Sequence, residues 1–129
     1  MERKRNILVV DDSETNLLLL EAVLGDESYN VITAISAKEA YEILDENIPD
    51  LILLDLLMPN ENGFDVIKKL QLNEEYKKIP IIIVTAFANE ENTTKANKYG
   101  VSDVIEKPID IPVFLSKVNN ALNISKEIA

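Results

Sequence analysis

The chain contains no cysteine and no histidine. The first absence removes disulfides and thiol nucleophiles, the second removes imidazole general bases, and together they leave zinc without its usual ligands. Most hydrolytic mechanisms are excluded on those grounds. Basic residues are in short supply, 13 against 23 acidic, and the resulting net charge of −10 disfavours direct binding to nucleic acid or anionic lipid while favouring basic partners or metal cations. Long hydrophobic runs are missing as well. The apolar segment that follows the charged first six residues is only Ile7 to Val10, too short for a signal-peptide core or a membrane span, so the sequence reads as cytoplasmic.

What is present is a globular composition, 47% hydrophobic and 28% charged over 129 residues, enough for one domain with a substantial core and no room for a second. Apolar runs of four recur at Ile7 to Val10, Leu51 to Leu54 and Ile81 to Val84. Such runs read as strands buried on both faces, as in a parallel sheet covered by helices. Each ends in polar chemistry: Asp11 and Asp12 after the first, Asp55 after the second, Thr85 after the third. Aspartate is depleted within strands and costly to bury unpaired, so these carboxylates belong at the carboxyl edge of the sheet, where α/β proteins bind ligands. Shorter strands are expected at Val31 to Ile35 and around Val104-Ile105, the latter followed by Glu106, Lys107 and Pro108.

Helical patterns fill the intervals. Ser13 or Glu14 opens a helix through Leu17, Leu20 and Leu24, with Gly25 placed to end it and Leu18 or Leu19 in excess of one buried stripe. Ser36-Ala37-Lys38-Glu39 is a capping box for a helix facing inward through Ala40, Ile43 and Leu44. Leu56 to Gly63 reads as a loop, and the helix after it turns Phe64, Ile67 and Leu70 inward. The helix from about Asn89 to Tyr99 has little apolar content beyond Ala96 and Tyr99, so it should be the most weakly anchored, and Gly100 closes it. Asp110 caps a last helix with Ile111, Phe114, Leu115, Val118 and Leu122 on one stripe. Five strands alternating with five helices predict an α/β three-layer sandwich around a five-stranded parallel sheet with right-handed crossovers. Of the two common doubly wound orders, 2-1-3-4-5 fits the count and puts the switch point between strands 1 and 3.

That topology brings Asp11, Asp12, Asp55, Thr85 and Lys107 to one crevice. Three clustered carboxylates repel, and a hard divalent cation with oxygen ligands and open, water-filled positions relieves them, which points to Mg²⁺. With one dication and the lysine the charges cancel. A carboxylate beside Mg²⁺, an ammonium and a hydroxyl is equipped to attack phosphorus, the cations neutralising the transferring phosphoryl oxygens. Phosphoryl transfer onto Asp55 is the chemistry this set supports.

Val9-Val10-Asp11-Asp12-Ser13, Asp55-Leu56-Leu57-Met58-Pro59 with Gly63-Phe64-Asp65, Thr85-Ala86 and Lys107-Pro108 stand in an order and spacing that resemble the receiver domains of two-component response regulators. The resemblance covers residues 6–123, leaving residues 1–5 as a leader and 124–129 as a tail. It implies the flavodoxin-like (βα)5 receiver fold, with Asp55 as phosphoacceptor and Asp12 as a direct Mg²⁺ ligand. Asp11 would act mainly through water and the Leu57 main-chain carbonyl would complete the protein's share of the coordination. Thr85 would hydrogen-bond the phosphoryl group and Lys107 would pair with it, aimed by a cis Lys107-Pro108 peptide. The implied donor is a phosphohistidine on a histidine kinase or phosphotransfer protein, since this chain has no histidine of its own. The implied output is a switched protein-protein surface, with a phosphorylation-dependent homodimer as a further expectation; the domain is implied to be a signalling switch and not an enzyme, one that assists its own phosphorylation at Asp55 and slow autodephosphorylation. One departure is Val104, where receivers carry Tyr or Phe three residues before the lysine.

Other readings fit less well. A haloacid-dehalogenase phosphatase needs a second acid two residues after its nucleophile, where this chain has Leu57. A flavin carrier of the same fold needs a phosphate-binding loop after strand 1, where Asp11 and Asp12 would repel the ligand, and no P-loop motif is present. A receiver-like binding module that signals without phosphorylation is the alternative from a different class, and the intact acidic, threonine and lysine positions argue against it.

Overall fold

The computed structural model describes the backbone of residues 4–58, 61–86 and 88–128, with the side chains of 61 and 124–128 left aside. In chain order the elements are β1 (Asn6–Val10), α1 (Glu14–Asp26), β2 (Asn30–Ala34), α2 (Ala37–Glu46), β3 (Leu51–Leu54), β4 (Leu57–Met58), β5 (Glu61–Asn62), α3 (Gly63–Gln71), β6 (Ile81–Thr85), α4 (Glu90–Lys98), β7 (Asp103–Glu106) and α5 (Ile111–Ile128). Five strands form one sheet in the order β2-β1-β3-β6-β7, all pairs parallel. Counting only the strands of that sheet, this is the expected order 2-1-3-4-5.

The sheet separates two apolar layers by the two-residue alternation of strand side chains. Leu8, Val10, Ile52, Leu54, Ile81 and Ile83 pack with α2, α3 and Ala96 of α4, whereas Ile7, Val9, Leu51, Leu53, Ile82 and Val84 pack with α1 and α5. Continuous apolar strands are thus needed because both faces are covered. The helices begin as the capping residues dictate. Ser13 Oγ accepts from Asn16 N, Ser36 Oγ from Glu39 N, Asn89 Oδ1 from Asn92 N and Asp110 Oδ1 from Val113 N, each satisfying a donor that the first turn leaves unpaired. Leu18 and Leu19 are both exposed on α1, and Ala96 is the one buried residue of α4.

Three details differ from expectation. Helix α1 runs past Gly25 to Asp26, and the left-handed residue that ends it is Ser28, at φ 67°. Ser28 N–H donates to the Gly25 carbonyl and Tyr29 N–H to that of Leu24, which lets Tyr29 join Leu24 in the core layer; this contact outweighs the roughly 1–2 kcal/mol that a side chain loses in the left-handed region. Ile111, expected on the inner stripe of α5, is exposed, and Ala121 is buried in the stripe instead. The loop after Asp55 contains the antiparallel pair β4 and β5, too short for any alternation to announce it. At the ends, Arg5 of the expected leader already accepts the Asn30 amide, and α5 continues as helical backbone to Ile128 through most of the expected tail. No helix among the described residues is long and apolar enough to cross a membrane.

Candidate functional site

Each chemistry-bearing residue sits just where a strand stops, with its main chain still held by the neighbouring strand. Asp11 N–H donates to the last carbonyl of β2, Ala34, at 3.0 Å; Asp55 N–H donates to the last carbonyl of β1, Val10, at 3.0 Å; Lys107 N–H donates to the Thr85 carbonyl at the end of β6, at 2.9 Å. The carboxyl edge of the sheet therefore fixes all three in register. Among the described residues the buried polar side chains are Asp11, Asp55 and Thr85, at 2%, 7% and 0% exposure. Burying an ionised carboxylate is costly unless it is paired, so their coincidence at one edge marks a site built against the preference of the core.

The pairing is specific. Lys107 Nζ lies 2.8 Å from Asp11 Oδ2 and 3.3 Å from Asp55 Oδ2. Asp11 Oδ1 accepts from Ser13 N at 2.9 Å, and Asn16 Nδ2 reaches Asp11 Oδ2 at 3.5 Å. Asp55 Oδ1 accepts from Leu57 N at 3.2 Å. Burial pushes the Asp55 carboxyl above its ordinary pKa; the Leu57 amide and the Lys107 charge pull it back, and the Asp11 charge adds to the rise. For Lys107, burial works to lower the ammonium, but the hydrogen bond and charge of Asp11, followed by the charge of Asp55, outweigh it and leave the pKa raised. The Lys107-Pro108 peptide is cis.

Asp12 completes the cluster from the exposed side. One carboxylate oxygen from each of Asp11, Asp12 and Asp55 lies within 4.8 Å of the others, a spread that a single hard cation can bridge with water filling the remaining positions. Both oxygens are engaged in Asp11, by Ser13, Lys107 and Asn16, and in Asp55, by Leu57 and Lys107, which leaves the exposed Asp12 carboxylate the most open to a cation.

The response regulator receiver domain family model matches residues 7–119 of this chain. The chain belongs to that family. This receiver domain is 39% identical over 114 residues to the response regulator PleD of Caulobacter vibrioides, covering 88% of this chain and 25% of PleD. It is 34% identical over 118 residues to the polar-differentiation response regulator DivK of Brucella ovis, covering 92% of this chain and 96% of DivK. It thus spans a quarter of one relative and nearly all of the other. Among solved structures, a CheY-like receiver domain protein from Methanospirillum hungatei matches with a TM-score of 0.90 at 25% identity, covering 98% of this chain and 100% of that one. Chemotaxis protein CheY4 of Vibrio cholerae matches at 0.87 and 26%, covering 92% and 99%. Receiver domains are phospho-accepting signalling switches that bind Mg²⁺ at an acidic aspartate cluster, and the cluster here has the oxygen donors that role requires.

Two contributors owe their roles to contacts that the sequence does not show. Gly63 has no space for a side chain: a Cβ there would stand 2.7 Å from Leu56 Cα and 2.9 Å from the Asp55 carbonyl oxygen. The sequence marks Gly63 as loop punctuation and as the first residue of the Gly63-Phe64-Asp65 motif, and the fold adds the reason, which is that a residue without Cβ lets α3 start against the backbone of the Asp55 loop. Asn16 follows Ser13 by three residues and looks like any first-turn residue, and its reach to Asp11 needs the fold to be seen. Phe87, two residues beyond Thr85, lies outside the described residues.

Proposed function

We propose that this receiver domain takes a phosphoryl group from a phosphohistidine on a histidine kinase or phosphotransfer protein onto Asp55, and thereby switches a protein-protein interaction surface. The observation that carries the reading is the buried Asp55 carboxylate, held beside Lys107 and within reach of Asp11 and Asp12 at the sheet edge. An Asp55 oxygen attacks phosphorus, the new P–O bond forms as the P–N bond to the donor imidazole breaks, and the imidazole leaves with a proton taken from solvent. Lys107 faces the transferring oxygens with a positive charge, and the buried Thr85 hydroxyl supplies a donor to the product. Asp12 and Asp55, the Leu57 carbonyl, and Asp11 through water would hold Mg²⁺. When bound, the cation supplies charge neutralisation at the transferring phosphoryl group. The activity belongs to residues 6–123, which assist their own phosphorylation and the slow hydrolysis of the resulting aspartyl phosphate.

Acetyl phosphate tests the assignment because it supplies phosphate without any protein donor. Intact-mass measurement should show one Mg²⁺-dependent phosphoryl adduct on the wild type and none on Asp55→Asn. An adduct on Asp55→Asn at the wild-type level, or none on the wild type with Mg²⁺ present, would sink the proposal.

A further inference from the structure

Helix α4 buries a single residue, Ala96, so something else must hold its C-terminal half against the domain. The contacts are with α3. The Tyr99 ring stacks on Phe64 with centroids 5.7 Å apart and planes 30° apart, and Lys95 Nζ lies 4.5 Å from the centre of the Phe64 ring. Lys68 Nζ approaches the Tyr99 ring at 6.0 Å, and Gln71 Nε2 donates to the Tyr99 carbonyl. Aromatic pairs and cations over rings of this kind favour particular ring positions, so displacing one ring is felt by the other.

Phe64 is also the second residue of α3, buried at 4% exposure and joined directly to Gly63. Gly63 N–H donates to the Leu56 carbonyl at 3.0 Å, and its Cα lies so close to Leu56 and the Asp55 carbonyl that no Cβ fits. The backbone of the Asp55 loop, the start of α3 and the end of α4 therefore form one contiguous line of tight contacts. A close-packed line cannot compress, so a shift at one end has to appear at the other. Val104 packs in the same core layer without a ring to offer.

We propose that the stack of Phe64 on Tyr99, with Lys95 over it, conveys the state of the Asp55 loop to α4. The inference rests on the phosphoacceptor reading above and deepens it. A group carrying about −1.5 to −2 charge on Asp55 redraws the hydrogen bonds of the adjacent backbone. Gly63 follows Leu56, Phe64 moves with α3, and α4, with little else to hold it, shifts at Tyr99 and Lys95.

The test measures hydrogen exchange across Glu90–Lys98 with and without Mg²⁺ and beryllofluoride, while fluorine NMR reports beryllofluoride occupancy separately. Three forms are compared: wild type, Tyr99→Phe, which keeps the stack, and Tyr99→Leu, which removes it at a half-buried position. Expected is an exchange difference between bound and free that is equal in wild type and Tyr99→Phe but reduced by about half or more in Tyr99→Leu at equal occupancy. A full difference in Tyr99→Leu, or none in the occupied wild type, overturns the route while leaving phosphoacceptance intact. Failure of the wild type to bind beryllofluoride overturns both.

Discussion

Lys107 stands closer to Asp11, at 2.8 Å, than to Asp55, at 3.3 Å, so one ammonium serves two buried carboxylates and favours the one not expected to carry phosphate. Without metal, this lysine offsets charge that the core would otherwise have to hold unpaired. Lys107→Met keeps the unbranched stem of the side chain, one atom shorter, and removes the charge. Breaking a fully buried pair costs about 3–5 kcal/mol, and an exposed one contributes under about 1 kcal/mol. At 18% side-chain exposure for Lys107, a loss of about 1–3 kcal/mol is expected in denaturant melts with chelator present. Mg²⁺ should then recover more stability in the variant than in the wild type, because it meets a more negative site. Equal stability of the two proteins in chelator would show that the pair contributes nothing.

Asp12 behaves oppositely. It is exposed and adds negative charge to the cluster, so Asp12→Ala should leave the metal-free protein as stable as before or slightly more so. The wild type should gain about 1.4 kcal/mol at a Mg²⁺ concentration ten times Kd, since the cation binds only the folded cluster. Thermal melts across a Mg²⁺ series should show that gain nearly abolished in Asp12→Ala. A variant with an undiminished gain would remove Asp12 from the ligand set.

The distribution of polar residues explains how much could be read in advance. Ile7 to Val10, Leu51 to Leu54 and Ile81 to Val84 are apolar because they are covered on both faces, and their polar successors Asp11, Asp55 and Thr85 therefore stand out in the sequence itself. Strand order followed from element count and topology, and with it the meeting of Lys107 with Asp11 across 96 positions. What stayed hidden depends on tertiary contact. The Tyr29 contact with Leu24 decides where α1 stops, and no local pattern at Gly25 reveals it. Ile111 fits the helical stripe of α5 by spacing, but its place in the first turn lies beyond the edge of the core. Gly63 shows a glycine in the sequence, but only the fold shows the backbone pressed against it.

Gly63→Ala is accordingly expected to do more than its helical position implies. Alanine normally improves on glycine in a helix by about 1 kcal/mol. Here the new methyl group would meet backbone atoms, which cannot rotate aside, and overpacking of this kind costs about 1–3 kcal/mol. The strain falls on Asp55 and Leu56, so Mg²⁺ affinity and acetyl phosphate labelling should fall together with stability. Gly25→Ala, with nothing within 4 Å of its Cβ position, serves as the control and should stabilise. If Gly63→Ala proved as well tolerated as Gly25→Ala, the close approach would have no energetic weight.

The lifetime of the phosphorylated state is expected to depend on the residue two beyond Asp55, Leu57. Hydrolysis needs a water in line behind phosphorus, and a side chain at that position can hold or exclude it. Leu57 donates its amide to Asp55 Oδ1 and is 53% exposed, so its main chain is tethered beside the site while its side chain is not tied into the core. It has no group to orient a water and enough bulk to crowd one. Attack on the aspartyl phosphate should therefore be slowed by poor positioning of the nucleophile, not by weak activation of phosphorus. Leu57→Asn supplies an amide that can hydrogen-bond the water, and because the side chain is exposed, the change should cost little stability. Decay should accelerate about tenfold if roughly 1.4 kcal/mol of the barrier is at stake. Following loss of the phosphoryl adduct by intact mass, after removal of acetyl phosphate and with Mg²⁺ held constant, measures it directly. Equal decay in wild type and Leu57→Asn would mean that this position does not gate the water.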